Sequence, residues 1–106
     1  MNTKLINLKD GGKLLYSPRK KAKAISIVFY FKAGAINDPS NKKGLAHFCE
    51  HTVFSLSTNN LDREQRLKIK QNLTINGATS LNRMIFYGVC VQEELEQMVD
   101  FFVDAF

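Results

Sequence analysis

The chain reads as an α+β fold, a mostly antiparallel sheet with helices packed on one of its faces. Three observations predict this. Ile25, Ile27, Phe29 and Phe31 alternate along one face of a strand. Turn residues at Asp10-Gly11-Gly12 and Leu81-Asn82-Arg83 join consecutive strand-like runs into hairpins. Three other segments carry helical periodicity, and the element order is ββ-β-α-α-β-β-α.

Short strands are expected near Lys4–Lys9 and Lys13–Ser17, and a longer one follows at about Ala24–Lys32. The basic run Arg19-Lys20-Lys21-Lys23 falls between strand-like segments and reads as a solvated hairpin tip. The loop Ala33–Lys43, rich in Gly, Asn, Asp, Pro and Ser, leads into a helix at Leu45–Leu56. Leu45, Phe48, Cys49, Thr52, Val53 and Leu56 form an apolar stripe on that helix, suited to a core. A polar helix is expected over Asp62–Leu73, with Leu67, Ile69 and Leu73 inward. Strands near Thr74–Ser80 and Met84–Val91 precede an amphipathic helix, Glu93–Phe106, whose apolar side holds Leu95, Met98, Val99, Phe102 and Val103.

At 106 residues and 44% hydrophobic, residues 1–106 suit one unit with a single modest core. The longest apolar run, Ala24–Phe31, is too short to span a membrane, and Met1–Lys9 shows no apolar leader region. Cys49 and Cys90 make no C-x-x-C pair and read as buried free thiols, which fits a reducing, cytoplasmic setting. Charge is lopsided: residues 1–43 hold ten Lys/Arg and two Asp, residues 44–106 five Lys/Arg and eight Asp/Glu. No aromatic residue interleaves the basic run, which argues against nucleic acid as a partner. An acidic or amphipathic peptide suits the basic half better.

His47-Phe48-Cys49-Glu50-His51 gathers both histidines and a carboxylate onto one helical turn. At roughly 100° per residue, His51 lies about 40° round from His47 and Glu50 about 60° the other way. Neutral imidazoles four residues apart can grip a zinc ion, and the adjacent carboxylate can take a proton from a metal-bound water. H-x-x-E-H is the inverted form of the zinc-peptidase helix signature. The competing explanation is an ordinary surface or buried histidine pair. Phe54 returns to the histidine side and is placed to wall a site.

The segment Gly44–His51, with Ala33-Gly34 and Asp38-Pro39 upstream and Asn76-Gly77-Ala78-Thr79-Ser80 and Phe86-Tyr87 downstream, resembles the insulinase–pitrilysin family of zinc metallopeptidases, to which the mitochondrial processing peptidases belong. The resemblance runs from about Leu8 to Phe106 and matches the opening part of the family's N-terminal catalytic domain, a partial half-domain of the processing-peptidase type. It implies that His47 and His51 bind Zn2+ and that Glu50 is the catalytic base. It also implies that a peptide substrate lies as an added strand along Asn76, Gly77, Ala78 and Thr79. Ser55-Leu56-Ser57-Thr58 where the family has Gly-Thr, Gly77 where it has Ala, and Met84 where it favours a hydroxyl residue depart from the pattern.

A catalytic zinc site normally has three protein ligands. The family's third, a glutamate on a later helix, lies beyond the 55 residues that follow His51. Glu93, Glu94 and Glu96 correspond to a variable surface helix and are not assigned. The chain is accordingly expected to be a fragment, or to need a second half-domain or subunit for its third ligand, and to be inactive alone. Two functions follow from different classes: a zinc-dependent metalloendopeptidase, or a non-catalytic peptide-binding or assembly module that retains the fold and a weak metal site.

Overall fold

A computed structural model of the chain describes residues 2–106; of the Met1–Lys9 segment, Met1 lies outside the described residues. The strands are β1 (Lys4–Asn7), β2 (Lys13–Tyr16), β3 (Ile25–Phe31), β4 (Thr74–Thr79) and β5 (Met84–Cys90). The helices are α1 (Leu45–Thr52), α2 (Arg63–Asn72) and α3 (Leu95–Ala105). The α+β architecture and the element order match the sequence reading, with ends trimmed by a few residues. The largest trimming is at α1, which stops at Thr52 because Val53 caps it and the chain then turns.

The strands form two separate antiparallel sheets. β1 and β2 pair as an isolated hairpin in which every residue is exposed. The second sheet has the order β3-β5-β4, with Phe29 opposite Phe86 and Gly77 opposite Phe86 on the other side. Since β2 and β3 belong to different sheets, the basic run between them is a connection and not the hairpin tip that the sequence suggested.

Ile25, Ile27 and Phe29 alternate inward as expected, whereas Phe31 at the end of the strand is exposed. Their face of the sheet, continued by Phe86 and Ile75, receives the helices: the Phe102 ring of α3 lies 4.9 Å from Phe29, and Phe54, just past α1, lies 5.5 Å from Phe86. The opposite face exposes Val28, Tyr30 and Val89. In α3 the buried residues are Met98, Phe101 and Phe102, whereas Val99 and Val103 are exposed. The buried stripe is therefore turned toward Phe101, because Phe101 meets Phe54 at 5.3 Å and draws that edge of the helix inward.

In α2, Asp62 accepts from the Gln65 backbone N–H at 2.8 Å, and the Gln65 side chain accepts from the Asp62 N–H at 2.9 Å, a reciprocal cap. Leu73 is buried and Ile69 packs on the core as expected, but the most buried side chain of this helix is Arg66. Among the described residues, no helix is long and apolar enough to cross a membrane.

Candidate active site

Two glycines and one aspartate set the entry into α1. Gly34 lies so close to the β4–β5 turn that a Cβ there would collide with the Ser80 carbonyl and approach the Arg83 nitrogen to 2.8 Å. The next residues bond to that turn, Ala35 N–H to Ser80 O at 3.1 Å and Ile36 N–H to Leu81 O at 2.8 Å. Gly44 has φ +88°, a left-handed conformation that side chains disfavour. Asp38 then accepts from two N–H groups at the helix start, Gly44 at 2.8 Å and Ala46 at 2.9 Å. It satisfies orphan donors and puts an anion at the positive end of the helix dipole. The helix is thereby tied to the β4–β5 turn.

On α1, His47 Nε2 and His51 Nε2 are 2.8 Å apart, and Glu50 Oε2 is 3.8 Å from each. The histidine side chains are about two-thirds exposed, at 64% and 66%, while that of Glu50 is 9% exposed. One oxygen of Glu50 would lie 3.2 Å from a Cβ placed on Gly77, so the bare glycine in β4 leaves room for the carboxylate. Asn76, Gly77, Ala78 and Thr79 border the same cleft of about 330 Å³, together with the buried Phe54. β4 is an edge strand of its sheet, so one side of its backbone is open to pairing. All seven residues singled out from sequence thus meet at one place.

Two expectations about α1 need correction. Leu45, Phe48, Cys49 and Leu56 do not enter a core; all are exposed, Phe48 by 65%. The helix lies on β4 with its Glu50 side, and Phe54 beyond its end fills the core, so the apolar stripe turns outward. For the same reason Cys49 is an exposed thiol, and only Cys90 is buried, where loss of hydration and nearby Glu94 push its pKa up. Sequence reasoning also missed Lys70, a half-buried cation of α2 that reaches the cleft. Its i+4 relation to Arg66 in a polar helix gave no signal of either role. A larger groove of about 970 Å³ lies elsewhere, bordered by Glu93, Glu96, Asp100 and Asp104, and neither histidine lines it.

A helix carrying His-x-x-Glu-His, laid against the open edge of an antiparallel sheet, defines a class: peptidases built on the inverted metal-binding helix. The comparisons sharpen it. The chain belongs to the insulinase family, peptidase family M16, whose family model matches residues 14–106. It is 23% identical over 105 residues to the beta subunit of the mitochondrial-processing peptidase of Neurospora crassa, covering 98% of this chain and 22% of that protein. Its fold matches a protease from Helicobacter pylori with a TM-score of 0.87 at 25% identity, covering 98% of this chain and 26% of that one. The periplasmic protease PqqL of Escherichia coli shares the fold, with a TM-score of 0.83 at 17% identity over 97% of this chain and 12% of its own length. The chain therefore spans about a quarter or less of the length of these relatives.

Proposed function

We propose that this chain carries the metal-binding and proton-transfer half of a zinc-dependent metalloendopeptidase site. The observation that carries the reading is the convergence of His47, Glu50 and His51, whose donor atoms lie within 4.8 Å of one another beside an open strand edge. The donors fit zinc by their chemistry: two imidazole nitrogens 2.8 Å apart can both reach one ion at bond lengths of about 2.0–2.1 Å. His47 and His51 would hold the ion, and the bound metal would polarise the scissile carbonyl and acidify water.

The chain's own residues supply the rest. Glu50, shielded by β4, accepts the proton of the attacking water and passes it to the leaving amine. The backbone of Asn76–Thr79 pairs with an extended peptide, holding the scissile bond over α1 with little regard to side chains. Lys70 adds a cation to the cleft wall. The third zinc ligand and the enclosure of substrate come from a second half-domain or subunit. A beta subunit among the relatives supports that arrangement.

The test is Glu50→Gln, which removes a proton acceptor while nearly preserving shape. In an assembly that restores peptide cleavage, the variant is expected to keep zinc and lose turnover by 100-fold or more, about the scale of a general base. Metal loss in this variant would make Glu50 a ligand or anchor instead, and unchanged cleavage would remove it from the mechanism. A second reading, a non-catalytic peptide-binding module, is favoured by the open backbone edge of β4, which can pair with a peptide without metal. It predicts peptide binding that is indifferent to Glu50→Gln and to zinc, and no cleavage in any assembly.

A further inference from the structure

We infer that the Arg66–Asp104 pair, whose guanidinium is fully buried, is a positioning device for the metal-binding turn, acting through the backbone carbonyl of Val53. α1 ends on carbonyls that lack intrahelical partners, as every helix does. The Val53 carbonyl, at the cap of α1, accepts from Arg66 Nη2 at 3.3 Å. Val53 stands two residues past His51 and directly before Phe54, which lines the cleft. Whatever fixes the Val53 peptide fixes the end of the turn that presents both.

Arg66 is itself held from three sides. Its Nη1 lies 2.8 Å from Asp104 Oδ2, and its guanidinium lies 4.4 Å from the centre of the Phe101 ring. Asp104 in turn accepts from the Thr58 hydroxyl and the Asn60 amide, each at 2.6 Å, which ties down the loop between α1 and α2. One charged pair from α2 and α3 therefore clamps both the end of α1 and the segment that follows it.

Stability alone does not account for a charge at this position. Arg66 is 0% exposed and its Nε has no partner, a costly arrangement; replacing both members of such a pair with apolar residues of similar volume often matches or exceeds it in stability. A guanidinium does offer rigid directionality: its planar fork aims at Asp104 and at Val53 simultaneously, which a lysine ammonium on a flexible stem does not reproduce.

The inference rests on the metal-site reading for its zinc readout but not for its structural one. The full chain would be compared as wild type, Arg66→Lys, Arg66→Met and Met98→Ala, the last removing a core side chain of α3 that lies against Gly88 of β5. Three quantities would be measured: thermal melting, zinc affinity by competition with a chromophoric chelator while each protein is folded, and metal-free imidazole ¹H–¹⁵N spectra of His47 and His51. Arg66→Lys is expected to lower zinc affinity about tenfold, the lower end for groups that orient metal ligands, and to shift the His51 ring signals. Met98→Ala is expected to lower the melting temperature at least as much while leaving affinity and ring signals at wild-type values. Wild-type affinity and ring signals in both Arg66 variants would overturn the inference, as would affinity that merely follows melting temperature across all variants. If wild type takes up no zinc, the metal reading fails, and the metal-free ring spectra still decide whether Arg66 positions the turn.

Discussion

His47, Glu50 and His51 on α1 and Arg66, Asp104, Thr58 and Asn60 behind it are both clusters of polar side chains, yet they are put to opposite uses. In the second cluster the donors and acceptors point at one another: Asp104 takes three bonds of 2.6–2.8 Å and Arg66 is fully buried. In the first, two largely exposed imidazoles, their Nε2 atoms 2.8 Å apart, and a shielded carboxylate 3.8 Å from each converge on a cleft. A polar cluster that consumes its own hydrogen bonds fixes structure. One whose lone pairs face a shared space is left open to a ligand. The difference should appear as an asymmetry: changes in the second cluster alter folding and, through the Val53 carbonyl, metal binding, whereas changes in the first alter metal binding alone.

The largest effect expected is from Arg66→Met. It leaves Asp104 beside Thr58 and Asn60 without a cation and empties a fully buried site, and removing the buried partner of such a pair is among the more damaging single changes. Thermal unfolding followed by circular dichroism should show a midpoint lower by about 10 °C or more. A drop of only a degree or two would mean that the cluster does not hold the fold together.

Acid should attack the same cluster next. Bonds from Thr58 and Asn60, and then the charge of Arg66, hold the Asp104 carboxyl below the usual carboxylate range. Because its folded pKa is depressed, its stabilising contribution is complete above the unfolded value of about 3.9 and is lost as pH falls below that toward the folded value. Melting temperatures of wild type and Asp104→Asn should therefore differ most near neutral pH and converge below about pH 4. A gap that stays constant down to pH 2.5 would sink the assignment.

Changes in the first cluster should alter metal binding and spare folding. His47→Ala and His51→Ala should each abolish zinc uptake in metal analysis, while metal-free melting stays within a few degrees of wild type, as for most surface substitutions. Zinc retained at the wild-type level by the double variant would remove both residues from the site. The smallest effect belongs to the hairpin: Leu15→Ser, at a side chain 70% exposed, should leave both melting and zinc binding unchanged. A clear loss of either would show that β1 and β2 lean on the body of the molecule.

Much of this was legible beforehand, and the misses share a cause. Ile25, Ile27 and Phe29 announced the inner face of β3 because period two leaves a strand only two faces to choose between. The His-x-x-Glu-His spacing announced the trio because a helical turn fixes its relative angles whatever surrounds it. Phe48 and Cys49 were misplaced because an apolar stripe says which residues share a face but not which neighbour covers it. Arg66 and Asp104 were invisible for a related reason: they are 38 residues apart, and only packing of α2 on α3 makes them partners.

The sequence by itself therefore determined the elements, their order, and the histidine–glutamate trio, all of which depend on interactions a few residues long. Tertiary structure alone decided that α1 lies on β4 by its Glu50 side, that Gly77 makes room for that carboxylate, and that Arg66 grips the end of the helix from behind. Those outcomes depend on which distant surfaces meet, and side-chain periodicity carries no information about that.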